Sequence, residues 1–172
     1  IQMVKLHLGC GKRDFGPSWD HIDMADFPHI KSHDVTKLTY ESETVDLIYA
    51  SHLIAYFDRD EIVPILKEWR RVLRPGGCLR LATPDFYQMA KIYVQQNGAD
   101  LSQFLGPLYG KMGVIYHKTT YDFYSLIELL SSCGFKNIRK YNRHATDHAR
   151  YDDHSAAYID GKLISLNVQC YV

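Results

Sequence analysis

The chain has 172 residues, 46% of them hydrophobic, and its 20 basic side chains balance 20 acidic ones for a formal net charge of zero. That size fits one domain, residues 1–172, with a sizeable core, and the balanced charge offers no field to draw in nucleic acid or anionic lipid. No membrane-span or leader pattern is present, and Cys10, Cys78, Cys133 and Cys170 form no CxxC pair, so the expectation is a cytoplasmic protein with reduced cysteines and no membrane partner.

Ile1 and Gln2 ahead of Met3 read as additions to a natural chain that starts almost inside its first strand. Val4, Leu6 and Leu8 alternate with Lys5 and His7 and then yield to Gly9-Cys10-Gly11, which predicts a strand over 4–8 running into a tight turn. The following KRDFGPSWD has Gly16, Pro17 and Ser18 but no helical period, so the helix that usually follows a first parallel strand is shortened or missing. HIDM, 21–24, predicts a short strand ending near Asp23, and VDLIYA, 45–50, a buried strand. Over 61–73, Ile62, Leu66, Trp69 and Leu73 share a helical face, with Pro64 tolerated near the first turn and Pro75-Gly76-Gly77 ending the helix before a strand over 78–84.

Residues 86–96 and 101–108 predict helical pieces, and 109–118 a loop. Thr119 with Asp122 predicts a capping box for a helix that presents Phe123, Ile127 and Leu130 and stops at Gly134. Strands over 136–141 and 163–172 complete the pattern. Between them, 142–161 is polar and patternless, a length that signals either a functional loop such as a lid or an unrecognised element. Alternating strands and helices predict an α/β fold around a mostly parallel sheet.

Gly9 and Gly11 allow a ligand close to the backbone, and Asp23 at the end of the second strand can accept hydrogen bonds from a ribose diol. A dinucleotide fingerprint would need a third glycine at position 14, where this chain has Asp14, a carboxylate facing the pyrophosphate. A cofactor with an adenosine and no phosphate fits better, and S-adenosylmethionine is one. The combination of LHLGCG (6–11), HID (21–23), HDVTKL (33–38), VDLIYASH (45–52), LKEWRRVLRPGGCLRLATPD (66–85) and YHKTTYDFYSLIELLSSCGF (116–135) resembles the class I S-adenosylmethionine-dependent methyltransferases, especially the small type 11 kind.

The resemblance implies a Rossmann-like sheet with a reversed final strand and S-adenosyl-L-methionine as cofactor. It further implies that the Gly9-Cys10-Gly11 turn passes beneath the methionine and ribose, that Asp23 takes the ribose hydroxyls, that Asp34 faces the adenine amino group beside the Val35 amide, and that Ser51 and His52 close the pocket. Related sequences often run SHVLEHF where this one has SHLIAYF, so Ala55 and Tyr56 replace a charged and an imidazole side chain. An acceptor would approach above the carboxyl ends of the strands, where Asp85, His117 and Lys118, and on the late loop His144, His148 and His154, are candidates. His117 is the first choice for a general base and Asp85 for a residue that orients it or binds an acceptor hydroxyl. The histidine spacing places no metal-ligating set on one element. ATPD (82–85) stands where nucleic-acid amino-methylating enzymes resemble NPPY, which disfavours a nucleic-acid acceptor. The expected activity is methyl transfer to a hydroxyl of a small polar acceptor, a sugar, glycan precursor or metabolite, by a monomer or homodimer; the alternative is a non-catalytic S-adenosylmethionine-binding or regulatory protein.

Overall fold

The computed structural model describes residues 2–98 and 100–172, so Ile1 lies outside the described residues. Its strands and helices are β1 (Lys5–Leu8), β2 (Asp20–Ile22), β3 (Ile30–Ser32), β4 (Val45–Ser51), α1 (Ile62–Val72), β5 (Leu73–Pro84), α2 (Phe86–Gln95), α3 (Ser102–Tyr109), β6 (Gly110–Lys111), β7 (Ile115–Tyr116), α4 (Phe123–Ser132), β8 (Lys136–Lys140), β9 (Tyr158–Ile159), β10 (Lys162–Leu163) and β11 (Ser165–Tyr171). Seven strands form one sheet in the order β3-β2-β1-β4-β5-β11-β8. The strands from β3 to β5 are parallel, and β11 is antiparallel to both β5 and β8. This is the expected Rossmann-like α/β sheet with its reversed last strand.

Strand alternation gives the sheet two unlike faces. Leu6, Leu8, Ile22, Ile48, Leu79, Leu81, Leu166 and Val168 belong to one apolar cluster with Leu66 and Trp69 of α1 and Leu126 and Leu130 of α4. Trp69 also donates its indole proton to the carbonyl of Val35 at 2.7 Å, which ties the loop after β3 to α1. Asp122 caps α4 by accepting from the Ser125 amide, and the Ser125 hydroxyl accepts from the Asp122 amide. The capping box is therefore Asp122 with Ser125 and not Thr119 with Asp122, because the helix begins three residues later than that pairing requires.

The opposite face is aromatic and polar. No helix follows β1; the 9–19 connection folds as turns and lays Phe15 and Trp19 over the sheet. Phe15 stacks on His7 at 3.9 Å between ring centroids and on Tyr151 at 4.3 Å, and Tyr49 lies 4.0 Å from His148. Within 142–161, expected as a polar loop or lid, residues 142–157 form a strap packed across this face. Arg143, His148, Asp153 and Ser155 are all buried. Arg143 donates to the Ser155 hydroxyl at 2.9 Å and to the Tyr151 carbonyl at 2.6 Å, while Tyr49 donates its phenol proton to Asp153. Polar side chains that satisfy one another can thus cover a sheet that helices would otherwise cover.

Candidate active site

The carboxyl ends of β1, β2 and β4 converge on the glycine turn. Gly9 and Gly11 have φ of 65° and 55°, which side chains other than glycine rarely adopt. A Cβ on Gly9 would press on Leu53 at 3.0 Å, whereas one on Gly11 would meet nothing within 4 Å. The Gly11 backbone thus faces open space. Asp23, one residue past β2, accepts from the Gly11 amide through Oδ2 at 2.7 Å and from the Ala25 amide through Oδ1 at 2.8 Å. A carboxylate has about four lone-pair sites, so two backbone donors leave capacity for a diol.

Cys10 between the glycines is buried, and burial together with the Asp23 carboxylate pushes its thiol up to about 12. It is a packing residue with an un-ionised thiol at neutral pH. His29 closes the turn from outside, its Nε2 3.0 Å from the Gly11 carbonyl. Asp34 is exposed and accepts from both the amide and the hydroxyl of Thr36, at 2.8 and 2.6 Å, which holds the turn that carries Val35. At the end of β4, the Ser51 hydroxyl is buried without a hydrogen-bond partner among the described residues. An orphaned hydroxyl, an open glycine backbone and a carboxylate with spare lone pairs suit an adenosyl cofactor with an amino-acid tail.

His52 follows β4 with φ 52°, a conformation that is unusual outside glycine. Burial, aided by His154, pulls its imidazole down to about 3, so the ring is neutral. His154, on the strap, lies 5.4 Å from His52 between ring centroids. His117 precedes α4; its Nδ1 is 3.0 Å from the Pro107 carbonyl, an acceptor only, so Nδ1 carries the proton and Nε2 a lone pair. Burial lowers the His117 pKa, with His154 adding in the same direction, against the Pro107 and Leu108 carbonyls.

Tyr56 explains the departure at 55–56: its ring meets His117 edge-on at 4.5 Å, and the Ala55 carbonyl accepts from the Lys118 amide at 2.8 Å. The positions where related sequences carry a charged residue and a histidine here anchor the segment that supplies His117. Lys118 pairs with Glu61 at 2.7 Å. Asp85 accepts from the Gln88 amide at 3.2 Å as the cap of α2, and burial raises its pKa. The contact that orients His117 is to the Pro107 carbonyl and not, as expected, to Asp85, which caps α2 instead. Of the late histidines, His148 is buried on the strap against Tyr49, and His154 alone stands beside His52. Among the described residues, no group of three or more His, Cys, Asp or Glu side chains is arranged to hold a metal ion, and no helix is long and apolar enough to cross a membrane.

Residues 17–81 match the family described as methyltransferase domain, a stretch that contains Asp23, Asp34, Val35, Ser51 and His52 and starts after the glycine turn. No curated protein matches the chain. Among solved structures, a SAM-dependent methyltransferase from Archaeoglobus fulgidus is similar at 12% identity and a TM-score of 0.64, over 99% of this chain and 86% of that one. One from Mesorhizobium loti shares 16% identity with a TM-score of 0.60 over 99% and 91%. Another from Methanosarcina mazei shares 16% with a TM-score of 0.58 over 99% and 93%. At these identities the likeness is one of fold, and the strand order and the 17–81 match agree with it. By fold the chain is similar to the class I S-adenosylmethionine-dependent methyltransferases, and over 17–81 it matches the methyltransferase-domain family.

Proposed function

We propose that this protein methylates a hydroxyl of a small polar acceptor, a sugar, glycan precursor or other metabolite, with His117 as general base. The observation that carries this is the His117 ring: Nδ1 is tied to the Pro107 carbonyl, and burial keeps the imidazole neutral with a lone pair at Nε2. S-adenosylmethionine, when bound, supplies a methyl carbon activated by its sulfonium. What remains for the chain is to hold cofactor and acceptor in line, exclude water and accept the hydroxyl proton. Gly9, Cys10, Gly11, Asp23, Asp34, Val35, Ser51 and His52 form the proposed cofactor side, and His117 with Asp85 the acceptor side, within one domain. A small molecule is favoured over nucleic acid by the zero net charge, and a cytoplasmic setting by four free cysteines.

Two substitutions test this reading. His117→Ala is expected to leave S-adenosylhomocysteine affinity within about twofold in calorimetry and to lower methylation of a panel of sugars and hydroxylated metabolites by about 100-fold or more. Undiminished turnover would remove His117 as base, and no turnover by the wild type on any acceptor, despite binding, would favour the non-catalytic alternative. Asp23→Ala is expected to weaken S-adenosylhomocysteine about 10-fold or more, since it removes the diol acceptor and frees the Gly11 amide. Equal affinity would overturn the ribose assignment.

A further inference from the structure

A polar chain runs from His52 through β11 to the strap. The His52 amide donates to the Ala82 carbonyl at 2.7 Å, which fixes the backbone. Its ring nitrogen Nε2 lies 3.0 Å from the Ser165 hydroxyl on β11. The Ser165 oxygen is 2.8 Å from Asn167 Oδ1, and Asn167 Nδ2 is 2.9 Å from the Ser155 carbonyl on the strap. Ser165, Asn167 and Ser155 are 3%, 4% and 0% exposed, so water does not supply alternative partners.

The directions of these bonds follow from the last link. A backbone carbonyl only accepts, so the Asn167 amide must turn Nδ2 toward Ser155 and Oδ1 toward Ser165. Oδ1 also only accepts, so the single Ser165 proton goes to it. The Ser165 oxygen is then left to accept from His52, whose Nε2 must carry the ring proton. We infer that Ser165 and Asn167 are positioning residues that lock His52, the residue after β4, in its Nε2-protonated form and leave its Nδ1 as a bare hydrogen-bond acceptor. The donor it suits is the α-ammonium group of the cofactor's amino-acid tail, an inference that rests on His52 belonging to the cofactor pocket. The locked ring is neutral, so it can receive that cation without a second positive charge beside it.

The test uses the full chain labelled with 15N-histidine, with the His52 ring assigned by its loss in His52→Gln. Long-range proton–nitrogen spectra at pH 7.5 are expected to show Nε2 protonated and Nδ1 bare in the wild type. Ser165→Ala should mix the two ring forms, and Ser165→Thr should restore one. In calorimetry, Ser165→Ala should weaken S-adenosylhomocysteine about fivefold and leave methylthioadenosine, which lacks the amino-acid tail, unchanged. A wild-type ring protonated at Nδ1 overturns the lock even if the variant does not fold. So does an unchanged ring form in Ser165→Ala. An equal loss for both ligands overturns the ammonium contact. If neither ligand binds the wild type while the ring form is as stated, the lock stands and the cofactor assignment of His52 fails.

Discussion

Lowering the pH from 6.5 to 4 is expected to cost the folded protein about 3 kcal/mol through His148 alone, because its pKa falls from 6.5 to about 4 on folding and each unit is worth about 1.4 kcal/mol. Burial is the main cause, and the Arg80 guanidinium, whose Nη1 lies 3.1 Å from Nε2, adds to it. The depressed pKa means that between about 4 and 6.5 the unfolded chain holds a proton that the folded chain does not. Stability is therefore full above the unfolded value and declines as pH falls through the window. His7 and His21, lowered mainly by burial on the same face, act in the same direction. Asp153 and Asp147 are held below the usual carboxylate range and stay ionised across most of it. Urea unfolding at pH 7.0 and 4.5 measures the loss. His148→Gln, which keeps an acceptor for Arg80, should shrink the difference by about 3 kcal/mol. Equal wild-type stability at the two pH values would show that His148 is not buried as described.

Asp153→Ala is expected to destabilise the protein by about 3–5 kcal/mol. The carboxylate is 6% exposed. It accepts from the Tyr49 phenol and, at 2.8 Å, from the Ser155 amide, and it lies 4.0 Å from the Arg143 guanidinium. Burial works against its charge, but the hydrogen bonds from Ser155 and Tyr49 and the charge of Arg143 outweigh that and keep it ionised. Alanine leaves a buried phenol without its acceptor and a buried cation without its counter-charge, which costs far more than the pair contributes in net terms. Asp153→Asn retains one acceptor and should lose about half as much. A mobile lid would tolerate either change, so a loss below about 1 kcal/mol in denaturant titration would return the strap to that role.

These two residues also mark where sequence reasoning stops. The sheet was readable because Leu6, Leu8, Ile48 and Leu81 pack into a core of their own kind, and α1 because Leu66 and Trp69 recur at helical spacing. The place of Asp23 beside the glycine turn was readable for a similar reason, since a carboxylate just past a short strand and 12 residues after Gly11 is a local signal. The strap was not, because its partners are remote: Tyr49 and Asp153 are 104 positions apart, and His52 and Ser165 are 113. Composition reads such a segment as solvated when its polar groups are in fact spent on one another. The contacts of Tyr56 and Ala55 were not readable because the segment they hold, with His117, lies some 60 positions further along.

The missing helix after β1 has a consequence for how the protein is made. Where a helix would cover β1 as soon as it left the ribosome, Lys5 here finds Asp147 at 2.9 Å and His7 lies beneath Phe15 among strap residues. The first strand has only Phe15 and Trp19 over that side until most of the chain has been synthesised and the strap arrives, and β11 must then enter between β5 and β8 to complete the sheet. Such late, long-range closure slows folding and leaves nascent strands open to wrong partners for longer. Chains truncated before residue 157 should therefore be ready clients for chaperones that shield exposed strands during translation.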